Sequence, residues 1–131
     1  MKKLNIKFYQ NLGKLFYAIA AADKNVREEE FDKLKEIVKS EWLAVDEIED
    51  NFHTDAAYQI EIVFDWLYEA ENLDAKTLFD DFIAYKEDQP HFYPIAIKQL
   101  ILKTANAVAA SFHGKNKSEL IMLANLEMRL K

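Results

Sequence analysis

The sequence predicts an all-α single domain, a bundle of about six helices over residues 1–131, on three observations. Apolar residues recur at three- and four-residue steps through most of the chain, the period of one helix face. Glycine and proline number two each, too few for the repeated tight turns of an all-β domain. Half of the 131 residues are apolar, which suffices for one core, since a chain of this length can bury about two-thirds of its unfolded surface. No Gly-, Ser- or Pro-rich linker divides it.

The first helix is expected from about Leu4 to Ala22, with Phe8, Leu12, Leu15, Phe16, Ile19 and Ala22 on one face. A second opens near Glu28, with Phe31, Leu34, Ile37 and Val38 as its stripe, and the signal continues less regularly through Trp42, Leu43, Val45 and Ile48 into an acidic connector. Thr54 is the expected N-cap of a third helix, with Asp55 in its first turn, where a negative charge suits the helix dipole. Ile60, Val63, Phe64 and Leu67 form its inward edge. Asp74 can cap a fourth helix carrying Leu78, Phe79, Phe82 and Ile83. The stretch EDQPHFYP must end it, because proline disfavours the α conformation in the residue before it. Pro94 suits the first turn of a fifth helix, where its missing N–H costs little. That helix shows Ile97, Leu100, Ile101, Ala105, Val108 and Phe112, and the turn HGKNKS leads to a sixth with Leu120, Leu123, Ala124 and Leu126.

An internal repeat is visible at an offset of 89 residues. AIAAADKNVREEEFDKL (Ala18–Leu34) lies over AVAASFHGKNKSELIML (Ala107–Leu123), with Ala18/Ala107, Ala20/Ala109, Ala21/Ala110, Glu30/Glu119 and Leu34/Leu123 identical. Each unit reads as an αα-hairpin whose small residues let helices approach closely, so that the two pack back to back.

Charge and composition remove several functions. With no cysteine, disulfides, thiolate zinc sites, iron–sulfur clusters and a cysteine nucleophile are excluded. Residues 1–24 carry five lysines and one acid, residues 25–92 six basic and twenty acidic residues, and residues 93–131 six basic and two acidic, together the net −6 of the chain. Such an acidic middle reads as solvated helix faces or as a surface for cations or a basic partner. Nucleic acid is not expected, because Arg27 and Arg129 are the only arginines and no basic stripe forms. Lys7, Asn11 and Lys14 interrupt the apolar N-terminal run, so neither a signal peptide nor membrane insertion is expected and the chain reads as cytoplasmic.

The acidic stretch AAADKNVREEE holds the candidate metal ligands Asp23, Asn25, Glu29 and Glu30, hard oxygen donors of the kind Ca²⁺ and Mg²⁺ take. An EF-hand puts its bidentate glutamate eleven residues after the first aspartate, whereas Glu30 follows Asp23 by seven. The stretch therefore reads first as a helix–turn–helix corner. In that reading Asp23 can accept from turn N–H groups, Val26 is expected to fill the hairpin core, and Glu28–Glu30 would complement the positive helix end. No cofactor is required by any motif.

At this corner the chain resembles the TerB-like family, named for a tellurite-resistance accessory protein. The family pattern is a small-residue helix, Ala-Asp-Gly, one residue, an aliphatic, Ser and a glutamate pair; Ala22, Asp23, Val26, Glu29 and Glu30 match it. Lys24 stands where the family has glycine, which leaves Asn25 to take any left-handed turn conformation. Arg27 stands for the serine, so that cap and its capping box with Glu30 are lost. In the second unit Phe112 replaces the aspartate, followed by His113. The resemblance implies an all-helical, pseudo-repeated fold and an accessory role in stress or metal(loid) response.

Other chemistry finds little support. A carboxylate-bridged di-metal bundle needs paired Glu-x-x-His motifs, and the nearest match, Asp50 to His53, occurs once, in an expected connector. His53, His91 and His113 all fall in expected turns. There is no Gly-rich phosphate loop, nucleophile elbow or dinucleotide fingerprint, so an enzyme is not expected. Aromatics crowd the middle of the chain, and Trp66 and Tyr68 flank Leu67 partly outside the inward stripe. With Asp65 and Glu69 they form the candidate partner surface, aromatic and rimmed by charge. The leading expectation is a non-enzymatic protein-binding module, with which a homodimer is compatible. The alternative is a Ca²⁺ or Mg²⁺ sensor built on Asp23–Glu30.

Overall fold

The computed structural model describes residues 6–21, 28–43, 50–70, 74–111 and 117–130. Among them are six α-helices and one 3-10 turn, and no strand: α1 (Ile6–Ala20), α2 (Glu28–Leu43), α3 (Asp50–Glu69), α4 (Ala75–Asp88), the turn Pro90–Phe92, α5 (Ile95–Ser111) and α6 (Lys117–Arg129). The expected all-α bundle of six helices is observed.

α1 is the hub, packing against each of the other five helices. The expected single apolar face understates it, because Tyr9, Tyr17, Ala18 and Ala20 are buried as well as Phe8, Leu12, Leu15, Phe16 and Ile19. A helix apolar nearly all round has to be enclosed. Only a narrow polar stripe escapes, made by Lys7 and Gln10, which are exposed, and Asn11 and Lys14, which are partly so. Gly13 is buried where α1 meets α3. A Cβ built there would lie 2.8 Å from Cγ1 and 3.0 Å from Cβ of Val63, so the approach of these two helices requires glycine.

The helix ends follow local chemistry with two corrections. Asp74 caps α4, its carboxylate accepting from the Thr77 N–H at 3.3 Å and from the Thr77 hydroxyl at 3.0 Å. Gln89, before Pro90, leaves the α region at φ −128°, ψ 58°, as the proline demands. Pro94 is not in the first turn of α5. Its carbonyl accepts from the Lys98 N–H at 2.9 Å, so it stands immediately before the helix. Nor does Thr54 cap α3, which begins at Asp50. Residues 50–53 contain neither proline nor glycine, and the helix runs a turn further upstream than the cap motif suggests. His53 is consequently helical and His91 lies in the 3-10 turn, while His113 lies outside the described residues.

The Pro-bounded turn also anchors the core. Phe92 and Tyr93 are buried, with ring centroids 5.9 and 5.3 Å from Phe8, and Tyr93 meets Phe82 edge-on at 5.9 Å. Edge-to-face pairs of this kind add roughly 0.5–1.5 kcal/mol each beyond their buried area. One polar side chain, Thr104, is fully buried among the described residues, and its hydroxyl donates to the Leu100 carbonyl at 2.8 Å.

The 89-residue offset reappears in the burial pattern. Phe8/Ile97, Leu12/Ile101, Leu15/Thr104, Phe16/Ala105, Ile19/Val108 and Ala20/Ala109 are all buried pairs. α1 packs on α5, α2 also packs on α5, and α6 also packs on α1, so each hairpin embraces the first helix of the other. The expected stripe of α6 needs correction: Leu123, Leu126 and Leu130 are buried, whereas Leu120 and Ala124 are exposed.

Candidate functional site

The expected partner surface divides along α3. Residues 66 and 68 are two apart on a helix, hence about 200° apart around its axis. Tyr68 turns toward α2, where its ring stacks on Phe31 at 4.2 Å and an interplanar angle of 11°. Lys35 completes this junction. Its ammonium lies 4.7 Å above the Phe31 ring, 3.1 Å from an Asp65 carboxylate oxygen and 3.9 Å from Glu61. Tyr68 and Asp65 thus help to clip α3 to α2. Burial raises the pKa of Tyr17 above the ordinary tyrosine value, with nearby Tyr68 adding to the effect.

Trp66 stands on another side, toward α1. It is 64% exposed, and Ile62, one turn earlier, is 44% exposed. With Val63 they form one wall of a groove of about 370 Å³, and Gln10 and Lys14 of α1 form the other. The Lys14 ammonium is 3.3 Å from Asp81 of α4, which fixes the long side chain at the groove margin. Glu69 is exposed at the end of α3, three residues after Trp66. Ile62 is the member that sequence reasoning missed. Its spacing of four from Trp66 was a usable signal, obscured because Ile60 and Val63 bracket it as part of an apolar run.

A second groove, of about 480 Å³, lies between α4 and α6, floored by Phe79, Ile121, Met122 and Met128. Its one carboxylate, Asp80, is 2.9 Å from Lys76. Neither lining brings two carboxylates together.

Of the candidate metal ligands, Asp23 and Asn25 lie outside the described residues. Glu29 is exposed in the first turn of α2, and Glu30 follows it in the helix. Among the described residues no group of three or more histidine, aspartate or glutamate side chains is placed to hold a metal ion, and no helix is long and apolar enough to cross a membrane. No family model, curated protein or solved structure matches the chain.

Proposed function

We propose that the chain is a non-enzymatic protein-binding module, and that its docking edge is the Ile62–Trp66 face of α3 with the adjoining α1 groove. The observation that carries this reading is Trp66 itself, 64% exposed beside a second large apolar side chain and a groove of about 370 Å³. Water around so much aromatic surface is released on docking, and tryptophan is among the residues that most often dominate binding energy. Glu69 and the Lys14–Asp81 pair supply a polar rim. The hub helix supports the role as well, because α1 packs against both α3 and α4 and its Gln10 and Lys14 complete the groove beside Trp66.

The likeness of Ala22, Asp23, Val26, Glu29 and Glu30 to the TerB-like corner supports an accessory role in a stress or metal(loid) response, in the cytoplasm. The sensor alternative has its own signature: a melting shift with Ca²⁺ or Mg²⁺ that Asp23→Ala abolishes.

The test is affinity capture from lysate of the source cells, with wild type, Trp66→Ala and Ile62→Ala as baits. Any captured protein is then purified and its binding measured. Trp66→Ala should weaken that affinity about tenfold to a hundredfold, within the range of an aromatic anchor, while the helical circular dichroism stays unchanged. A partner that binds both variants as tightly as wild type would show that this edge is not the docking site.

A further inference from the structure

The outward face of α3 sets charge of one sign beside its exposed apolar pair. Asp65, Glu69, Ile62 and Trp66 fall within one arc of about 100° around the helix, and all four are exposed. Asp65 borders α2 through Lys35, and Trp66 borders α1 at the groove. α3 holds five acids and neither lysine nor arginine. The bias extends beyond the helix, because residues 40–75, between Lys39 and Lys76, include eleven acids and no lysine or arginine.

The neighbouring lysines do not cancel this charge. Lys35 of α2 is shared between Asp65 and Glu61, and its side chain is 25% exposed against 59% for Asp65. Lys14 of α1 is 26% exposed, and Asp81, which it meets, is 46% exposed. Lys7 of α1 is exposed. The five acids of α3 and Asp81 outnumber Lys7, Lys14 and Lys35 by three. Glu69 has no ion-pair partner among the described residues.

We propose that the occupant of the α3 edge is an amphipathic helix of a partner protein, with lysine or arginine flanking its apolar stripe. The inference rests on the docking edge proposed above and adds the chemistry of what docks there. Ile62 and Trp66 stand one turn apart, the spacing that meets the i, i+3 or i+4 anchors of such a helix. The groove of about 370 Å³ beside them receives an anchor. The basic flank then lies over Asp65 and Glu69, where opposite potentials steer docking. An extended strand has no sheet edge to join, since no strand occurs among the described residues. Nucleic acid would meet repulsion from the same carboxylates.

Calorimetric titration of the full chain tests the proposal with two synthetic amphipathic helices, each about 18 residues long. One is built of leucine and lysine, the other of leucine and glutamate in the same pattern. The lysine peptide should bind at least about tenfold more tightly than the glutamate peptide. Raising the salt from about 50 mM to about 0.5 M should weaken it by at least about tenfold. Trp66→Ala should weaken it about tenfold or more, and Glu69→Lys about fivefold. Glu127→Lys makes the same charge change at an exposed position of α6 and should alter affinity less than about twofold. Equal binding of the two peptides at an edge still sensitive to Trp66→Ala would overturn the basic helix and keep the docking edge. Lysine-peptide binding indifferent to Trp66→Ala would overturn both. Binding of neither peptide would overturn the basic helix alone. So would self-association of the chain that Trp66→Ala abolishes, which would make a second copy the occupant.

Discussion

The two hairpins, α1–α2 and α5–α6, share a pattern and differ in what covers them. Phe31 of α2 is 6% exposed, roofed by Tyr68 of α3 and flanked by Lys35. Its counterpart 89 residues on, Leu120 of α6, is 49% exposed. The first helices diverge in the same sense. Gly13 of α1 admits α3 at van der Waals contact, whereas the equivalent Leu102 of α5 keeps a full side chain, half-buried. Similar amphipathic units therefore acquire different roles according to their neighbours. Where α3 lies on the first hairpin the apolar surface becomes core, and on α6 the matching surface remains open.

The sharpest way to break this comparison is to truncate the equivalent pair. Phe31→Ala should cost about 3–5 kcal/mol, the range for a buried aromatic. Leu120→Ala should cost less than about 1 kcal/mol, because an exposed side chain has little burial to lose. Urea unfolding of the two variants measures the difference, and equal losses would refute the asymmetry between hairpins.

Gly13→Ala comes next. Alanine favours a helix over glycine by up to about 1 kcal/mol, so a site with room would be stabilised. With Val63 at 2.8 Å overpacking, typically about 1–3 kcal/mol, should prevail over that gain, and stability should fall by a net of up to about 2 kcal/mol. A rise in stability would mean that α3 does not press on α1 as described.

The smallest effect lies at the other end of α1, where Tyr93 closes over Phe8. Its hydroxyl is buried with no hydrogen-bond partner among the described residues, and burial, with a smaller contribution from Tyr85, raises its pKa far above the ordinary 10.0. The phenol thus stays neutral in the fold at pH values where the unfolded chain ionises. Its contribution is complete below about pH 10 and is lost as the pH rises beyond that value. Tyr93→Phe should change stability at pH 7 by less than about 1 kcal/mol, in the stabilising direction, and should flatten the decline above pH 10. A pH series of melting curves would show both, and an unchanged alkaline decline would remove Tyr93 as its source.

Much of the architecture was legible because it rests on short-range chemistry. Helical period, the Asp74 cap and the backbone restriction before Pro90 each act within a few residues, and the elements they define match the fold. The α3 start at Asp50 was missed for the same reason: a good capping residue at Thr54 says nothing about whether the turn upstream can also be helical. The candidate surface was legible only in part. Trp66 and Tyr68 could be named from the sequence, but their separation onto two sides of α3, and the joining of Ile62 to Trp66, depend on where α1 and α2 lie.

By itself, then, the sequence determined the all-α class, the number of helices, most of their limits and the inward stripes of α2 to α5, because periodicity and local backbone sterics are properties of the chain alone. The tertiary structure decided that α1 is enclosed on nearly every side, that Gly13 admits Val63, that Tyr68 is spent on Phe31 while Trp66 is not, and that Leu120 stays in water where Phe31 is covered. Periodicity reports which face of a helix is apolar. Which neighbour covers that face, and whether any does, depends on contacts between residues far apart in the chain.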